Sequence, residues 1–94
     1  MDIAIAHIVE ATAGRDCGRF FFVLETQGEY LLLADGKGRR VEAPKRKSRK
    51  HVRLVGTAPE DLAVRLTRKE KVTNSELRKA IAVFGENGKH DQEG

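Results

Sequence analysis

A chain of 94 residues with 39% hydrophobic and 34% charged residues has room for one modest core, which excludes two independent domains and a large cofactor cavity. Its single cysteine excludes an internal disulfide and a cysteine-based zinc site, and its formal net charge of +4 favours an anionic partner. Residues 1–11 have an acid at position 2 and interrupted apolar residues, so we expect a soluble, cytoplasmic protein with neither signal peptide nor membrane span.

The first part of the chain has the pattern of short β-strands. Residues 3–12 are rich in β-branched side chains and predict a strand, and residues 13–19 contain Gly14 and Gly18, which are typical of a tight loop. Residues 20–26 (FFFVLET) and 30–35 (YLLLAD) predict a hairpin. Both hairpin strands are apolar at consecutive positions, so both of their faces should be covered.

The middle of the chain continues this pattern and becomes strongly basic. After a turn at residues 35–38, RRVEA at 39–43 predicts a short strand that ends before Pro44, because proline cannot donate to a ladder. PKRKSRK at 44–50 is predicted to be a basic loop, and HVRLVG at 51–56 a closing strand. About five short strands in 56 residues predict a mainly β fold, arranged as a small barrel.

The last third changes to helical signals. Thr57 and Glu60 have capping-box spacing around Pro59, which predicts a short helix at 59–68. Thr73 and Glu76 repeat that spacing, so a second helix should begin near residue 74. Its apolar stripe at 77, 80, 81 and 84 should pack on the outside of the hairpin, and the helix should end near residue 85, before a disordered tail at 86–94.

Positive charge is concentrated in residues 37–53. Nine of these seventeen residues are Lys or Arg and Glu42 is the one acid, a local net charge of +8 in a chain that is otherwise net acidic. A polyanion would relieve the mutual repulsion of these cations and release counterions. A solvated loop without a partner is the alternative. Among aromatic residues that could stack on bases, the phenylalanines at 20–22 are expected in the core, and Tyr30 is open to either interpretation.

Catalysis and metal binding have little support in the sequence. His7, His51 and His90 are scattered, and the chain contains no HxxxH, CxxC or paired-carboxylate spacing. Cys17 is interpreted as an ordinary loop thiol between two arginines. We therefore expect no enzymatic activity, metal or cofactor.

The loop AGRDCGR, followed by FFFVLE, YLLLADG and a basic run, resembles the KOW motif of several large-subunit ribosomal proteins and NusG-type transcription factors. The closest resemblance is to bacterial KOW-domain RNA-binding proteins that look like an archaeal and eukaryotic ribosomal KOW protein. It covers about residues 5 to 54, and the NSELRKAI helix is also similar. Cys17 stands where lysine is common in the motif, and Glu10 where an apolar residue is frequent.

This resemblance implies an SH3-like barrel over residues 1–56, a helical extension packed on it over 57–85, and binding to RNA, usually ribosomal RNA. The chain is therefore predicted to be a monomeric RNA-binding accessory of the ribosome or of translation, with ribosomal proteins as further partners. The alternative is a protein-interaction module that docks an acidic partner of the transcription or translation machinery. Gly14, Asp16 and Gly18 would form the motif loop. The predicted RNA-binding residues are Arg15, Arg19, Lys37, Arg39, Arg40, Lys45, Arg46, Lys47, Arg49, Lys50 and Arg53.

Overall fold

The computed structural model describes the backbone of residues 2–93 and the side chains of residues 2–86. One antiparallel sheet contains five strands, β1 (His7–Ala11), β2 (Phe20–Gln27), β3 (Tyr30–Ala34), β4 (Lys45–Ser48) and β5 (Val52–Thr57). A 3-10 turn at Arg49–His51 connects β4 to β5, and two helices follow, α1 (Glu60–Thr67) and α2 (Asn74–Glu93). The prediction of a mainly β fold of about five strands with C-terminal helices is confirmed at this level.

The strands are arranged in the order β4-β3-β2-β1-β5, so the last strand lies beside the first. The register shifts after Ile8 where β1 pairs with β5, and after Val23 where β2 pairs with β3. Such irregularities increase the local twist and bend a strand. β4 and β5 are the two edges, so the sheet formed by the described residues is not closed.

The inner core lies on the sheet face opposite the helices. Phe21, Leu31 and Leu33 are fully buried there, although the cluster contains no residue of the described part of either helix. The strands must therefore bend around this cluster to exclude water. Its buried members are Ile3, Val9, Ala11, Phe21, Val23, Leu31, Leu33 and Val52.

The outer core lies between the sheet and the two helices. Phe84 of α2 packs edge-on against Phe20 of β2, with 5.3 Å between ring centroids. Gly56 of β5 leaves room for this ring, because a Cβ at that position would lie 2.6 Å from Phe84 Cε1. The predicted apolar stripe of α2 thus faces the sheet, and each large buried side chain contributes about 1.5–3 kcal/mol. The buried members are Ala6, Ile8, Phe22, Ala34, Ala58, Leu62, Leu66, Val72 and Leu77.

The start of α2 is fixed by the capping box that the sequence predicts. The Glu76 N–H donates to Thr73 Oγ1, and the Thr73 N–H donates to Glu76 Oε1, both at 3.1 Å. Arg65 of α1 also donates to Glu76, and this hydrogen bond lowers the pKa of Glu76 to about 2. The Arg65–Glu76 pair therefore fastens the two helices to each other.

Several local predictions need correction, and the first strand begins at His7 rather than at residue 3. Residues 39–43 form a turn region rather than a strand, and residues 45–48, predicted as part of a basic loop, form β4. β4 pairs with β3 at four positions, and lysines are well tolerated on an edge strand. α1 has no side-chain cap, because Thr57 ends β5 and pairs with His7.

α2 is longer than the sequence predicts. It continues past Gly85 to Glu93, through residues predicted to be a disordered tail. Glycine within a helix costs about 1 kcal/mol relative to alanine, which does not by itself end the helix. Gly94, the last residue of the predicted tail, lies outside the described residues.

The whole chain packs compactly, with a radius of gyration of 12.3 Å, close to the ~12.4 Å typical of a globular chain of this length. Every buried side-chain nitrogen and oxygen of the described residues has a hydrogen-bond partner. Within residues 2–93, neither helix is both long and apolar enough to cross a bilayer.

Candidate nucleic-acid interface

Two loops that carry predicted RNA-binding arginines lie at the same end of the sheet. The glycine loop (residues 12–19) connects β1 to β2, and the β3–β4 loop (residues 35–44) connects the next antiparallel pair. In consecutive antiparallel strands, every second connecting loop lies at the same end of the sheet. The topology therefore brings these two loops together. The basic segment and the glycine loop, which are distant in sequence, are neighbours for this reason.

The glycine loop is a tight turn that requires its two glycines. Gly14 and Gly18 have φ of 80° and 91°, in the left-handed region that favours glycine. The Gly18 N–H donates to the Ala11 carbonyl (2.8 Å), and the Arg19 N–H donates to the Asp16 carbonyl (2.9 Å). The turn leaves Arg15 exposed at its tip and directs Asp16 inward.

Asp16 is the buried acceptor of the glycine loop, and it is 6% exposed. Lys45 Nζ of β4 donates to Asp16 Oδ2, and Arg19 Nη1 lies 3.6 Å from the other carboxylate oxygen. The hydrogen bond from Lys45 holds the pKa of Asp16 below its usual value. The predicted motif residue Asp16 therefore anchors the loop to the edge strand.

Asp35 organises the β3–β4 loop in a similar way. Its Oδ1 accepts hydrogen bonds from the backbone N–H groups of Lys37 and Arg39, both at 2.9 Å, and its Oδ2 accepts from Arg19 Nη2 at 2.9 Å. Asp35 is only 7% exposed. Arg19 thus connects the buried acid of one loop to the buried acid of the other, and it fixes the two loops relative to each other.

Helix α2 supports the β3–β4 loop from the other side. The Val41 N–H donates to Asn74 Oδ1 (2.8 Å), and Asn74 Nδ2 donates to Glu42 (2.7 Å). The hydrogen bond from Asn74 lowers the pKa of Glu42. Arg78 Nη1 donates to the Gly36 carbonyl (2.9 Å). The loop is therefore held by both the sheet and the helix.

Five of the predicted RNA-binding residues are engaged in internal contacts. Arg19 and Lys45 bind the two buried acids described above. Lys47 Nζ donates to the Ala13 carbonyl (3.0 Å), and Arg49 donates to the carbonyls of Gly28 (2.7 Å) and Ile3 (3.0 Å). Arg53 lies 2.8 Å from Glu10 on the neighbouring strand. These side chains connect parts of the fold, and their charged groups are partly or wholly occupied by internal carbonyls and carboxylates.

The other six side chains make no hydrogen bond or ion pair with the described residues. Arg15, Lys37, Arg39 and Arg40, which we call the loop cations, are exposed on the two joined loops. Arg46 is on β4, with its guanidinium carbon 4.0 Å from the centroid of the Tyr30 ring. Lys50 is exposed on the 3-10 turn, near the opposite end of β3. The loop cations therefore lie on the two joined loops at one end of the sheet, whereas Arg46 lies on β4 and Lys50 lies toward the other end of β3.

Several residues that shape this surface are not evident from the sequence. Asn74 and Arg78 hold the β3–β4 loop, but the sequence pattern indicates only that Asn74 begins a helix. The Arg46–Tyr30 contact depends on the pairing of β4 with β3, which the sequence does not predict. The DG pair at positions 35–36 does signal a turn in which the aspartate accepts backbone N–H groups.

No protein-family model and no curated protein matches this chain. The interpretation of the surface therefore depends on its own chemistry. The loop cations offer guanidinium and ammonium donors to an anionic ligand. Among the described residues, no group of three His, Cys, Asp or Glu side chains lies close enough to hold a metal ion, and Cys17 is exposed on the glycine loop.

Proposed function

We propose that this chain is a non-enzymatic RNA-binding protein whose loop cations grip the RNA backbone. The observation that carries the proposal is the link made by Arg19, which joins the two loops through Asp16 and Asp35. This link joins the loop that carries Arg15 to the loop that carries Arg39 and Arg40, although the two loops are some twenty residues apart in sequence. Cations on loops whose backbone is already fixed lose less conformational entropy on binding than cations on a mobile loop do.

The chemistry of the loop cations suits phosphates. Arginine presents a planar fork of donors that can hold a phosphate through two hydrogen bonds, and three of the four loop cations are arginines. None of these side chains forms an ion pair with an acid of the described residues, whereas Asp16 and Asp35 are already bound by Arg19. Binding a polyanion here would release counterions without breaking the contacts that hold the loops.

We also propose, from the resemblance to the KOW motif, that the sheet is an SH3-like barrel. This barrel would be open between β4 and β5. Lys45 and Lys47 of β4 contact the glycine loop. Residues 1–56 would form the barrel, and residues 57–85 the helical extension. In this proposal the protein acts in the cytoplasm as a monomer, as an accessory of the ribosome or of translation with ribosomal RNA as its partner.

Salt dependence and a matched pair of triple variants test this proposal. If about five phosphates are neutralised, a plot of log K against log salt should have a slope of roughly −3.5 to −4.5. Replacing Lys37, Arg39 and Arg40 by Ala should reduce the steepness of that slope by about 2 to 3 and weaken binding to all RNA sequences. Fluorescence anisotropy with labelled ribosomal RNA fragments measures both quantities.

The control variant replaces Arg68, Lys71 and Lys79 by Ala. It removes the same formal charge from exposed positions on and near the helices, and Lys79 lines the groove between α1 and α2. We expect it to bind RNA nearly as well as the unmodified chain. A flat salt response, or equal losses in the two triple variants, would contradict the proposal.

A further inference from the structure

Tyr30 and Arg46 form an exposed stacked pair on the outer face of β3 and β4. In this antiparallel pair Tyr30 is opposite Ser48 and Leu32 is opposite Arg46, so Tyr30 and Arg46 are diagonal neighbours on one face. The guanidinium carbon lies 4.0 Å from the ring centroid, a stacking distance. Tyr30 nevertheless remains 41% exposed, so the contact with Arg46 leaves a large part of the residue accessible.

The other aromatic side chains are used for packing. Phe21 and Phe22 are fully buried in the inner and outer cores. Phe20 and Phe84 are partly buried and pack on each other. Tyr30 is the one aromatic residue among the described side chains with a large exposed area, and its position at the end of β3 places it beyond both cores.

Arg46 is available to a ligand as well. It makes no hydrogen bond or ion pair with the described residues, although Lys45 and Lys47 beside it on β4 are both engaged. The contact with Tyr30 holds the guanidinium over the ring and leaves its donors without a hydrogen-bond partner among the described residues. A planar group stacked on one side with open donors can hold a base and an adjacent phosphate at the same time.

We propose that the Tyr30–Arg46 pair binds an unpaired base, so that the ligand of this protein is single-stranded RNA. This inference rests on the proposed function and specifies its substrate. A base would stack on the exposed part of the tyrosine ring or on the guanidinium plane. The same strand would continue along the edge strand β4 to the loop cations, because Ala34, further along β3 on the same face, is buried in the outer core. The distance from Tyr30 to Asp35 along an extended strand is about 16 Å, which a short stretch of single-stranded RNA can span. Bases stacked within a duplex cannot reach the ring in this way.

The composition of the chain provides a direct signal for the test. Tyr30 is the only tyrosine and the chain contains no tryptophan, so tyrosine fluorescence reports on this site alone. The probes are an oligoriboadenylate of about 12 nucleotides, an RNA duplex of the same length and an abasic oligonucleotide of the same length. We expect the single strand to quench Tyr30 fluorescence, and the duplex and the abasic strand to bind through phosphates without quenching.

Variants separate stacking from charge. Tyr30→Ala should weaken binding of the single strand about 5- to 150-fold, with little change for the duplex, whereas Tyr30→Phe should keep the affinity for the single strand. Arg46→Lys keeps the charge but removes the stacked plane, and it should weaken binding of the single strand selectively. Tyr30→Leu keeps apolar area without a π-face and should behave as Tyr30→Ala does.

The outcomes distinguish this inference from the proposed function. Binding of all three probes with equal affinity, no quenching and no effect of Tyr30→Ala would overturn the stacking site and leave phosphate binding intact. Binding of none of the probes, with the far-ultraviolet circular dichroism of a folded protein, would overturn both. A selective loss for the single strand in Tyr30→Ala, with duplex binding unchanged, supports the inference and shows that the variant is folded.

Discussion

Lys45 and Lys50 differ in role although both belong to the same basic run. Lys45 donates to the buried carboxylate of Asp16, and its side chain is 25% exposed. Lys50 is exposed on the 3-10 turn, and its side chain has no hydrogen-bond or ion-pair partner among residues 2–86. The two lysines contribute equally to the net charge. Their contacts indicate that Lys45 stabilises the fold and that Lys50 is available to a ligand.

Replacing these lysines separately tests that difference. Lys45→Ala should lower the free energy of unfolding by about 1 kcal/mol, because it removes a charged hydrogen bond whose strength is reduced by partial exposure. Lys50→Ala removes the same formal charge and should change stability by less than about 0.5 kcal/mol. Urea denaturation followed by circular dichroism measures both values, and equal effects would mean that the Lys45–Asp16 contact does not stabilise the fold.

At the scale of elements, the contact between α2 and the β3–β4 loop positions the candidate site. Gly36 lies against the first turn of α2, and a Cβ at this position would be 2.2 Å from the Asn74 carbonyl oxygen. Its φ of 79° is also in the left-handed region. Gly28, in the turn between β2 and β3, has a comparable φ of 62° but open space around its Cα. Replacing either glycine would therefore strain the backbone to a similar extent, but only Gly36 is closely packed against a neighbouring element.

Alanine substitution at these two glycines separates the effects. Gly28→Ala should cost about 1–2 kcal/mol, the penalty for a left-handed alanine. Gly36→Ala should cost at least about 1 kcal/mol more, because the loop and α2 must move apart. It should also weaken RNA binding, since the displaced loop carries Lys37, Arg39 and Arg40. Thermal unfolding and anisotropy titrations measure the two effects, and equal losses of stability would indicate that the loop is not held against α2.

The sequence predicts elements well where local patterns determine them. The hairpin of β2 and β3 follows from apolar β-prone residues, and the start of α2 follows from a capping box made by Thr73 and Glu76. β4 consists of KRKS and has no β pattern, because its conformation comes from pairing with β3. The sequence predicts the candidate site as a set of cations. It does not predict which of these side chains bind internal carbonyls or acids and which are left for a ligand, because those acceptors come close only after folding.

At the scale of the whole molecule, β2 couples the two cores. Phe21 faces the inner core and Phe22 the outer core, and both are fully buried. A bend in the sheet that buries one face also shapes the surface on which α1 and α2 pack. The loops that carry the candidate site are attached to both sides, through Lys45 on β4 and through Asn74 on α2. Sheet and helices are therefore expected to unfold together.

A pair of core variants tests this coupling. Leu33→Ala opens a cavity in the inner core and Leu77→Ala opens one in the outer core; both leucines are fully buried, so each substitution should cost about 2–5 kcal/mol. Circular dichroism at the helical minimum follows α1 and α2, while the fluorescence of Tyr30 follows the sheet. Because the strand between the cores is shared, both signals should change at the same urea concentration in each variant. If Leu77→Ala shifted the helical transition and left the Tyr30 transition in place, the helices would be a separately folding extension, and the two cores would not be coupled through β2.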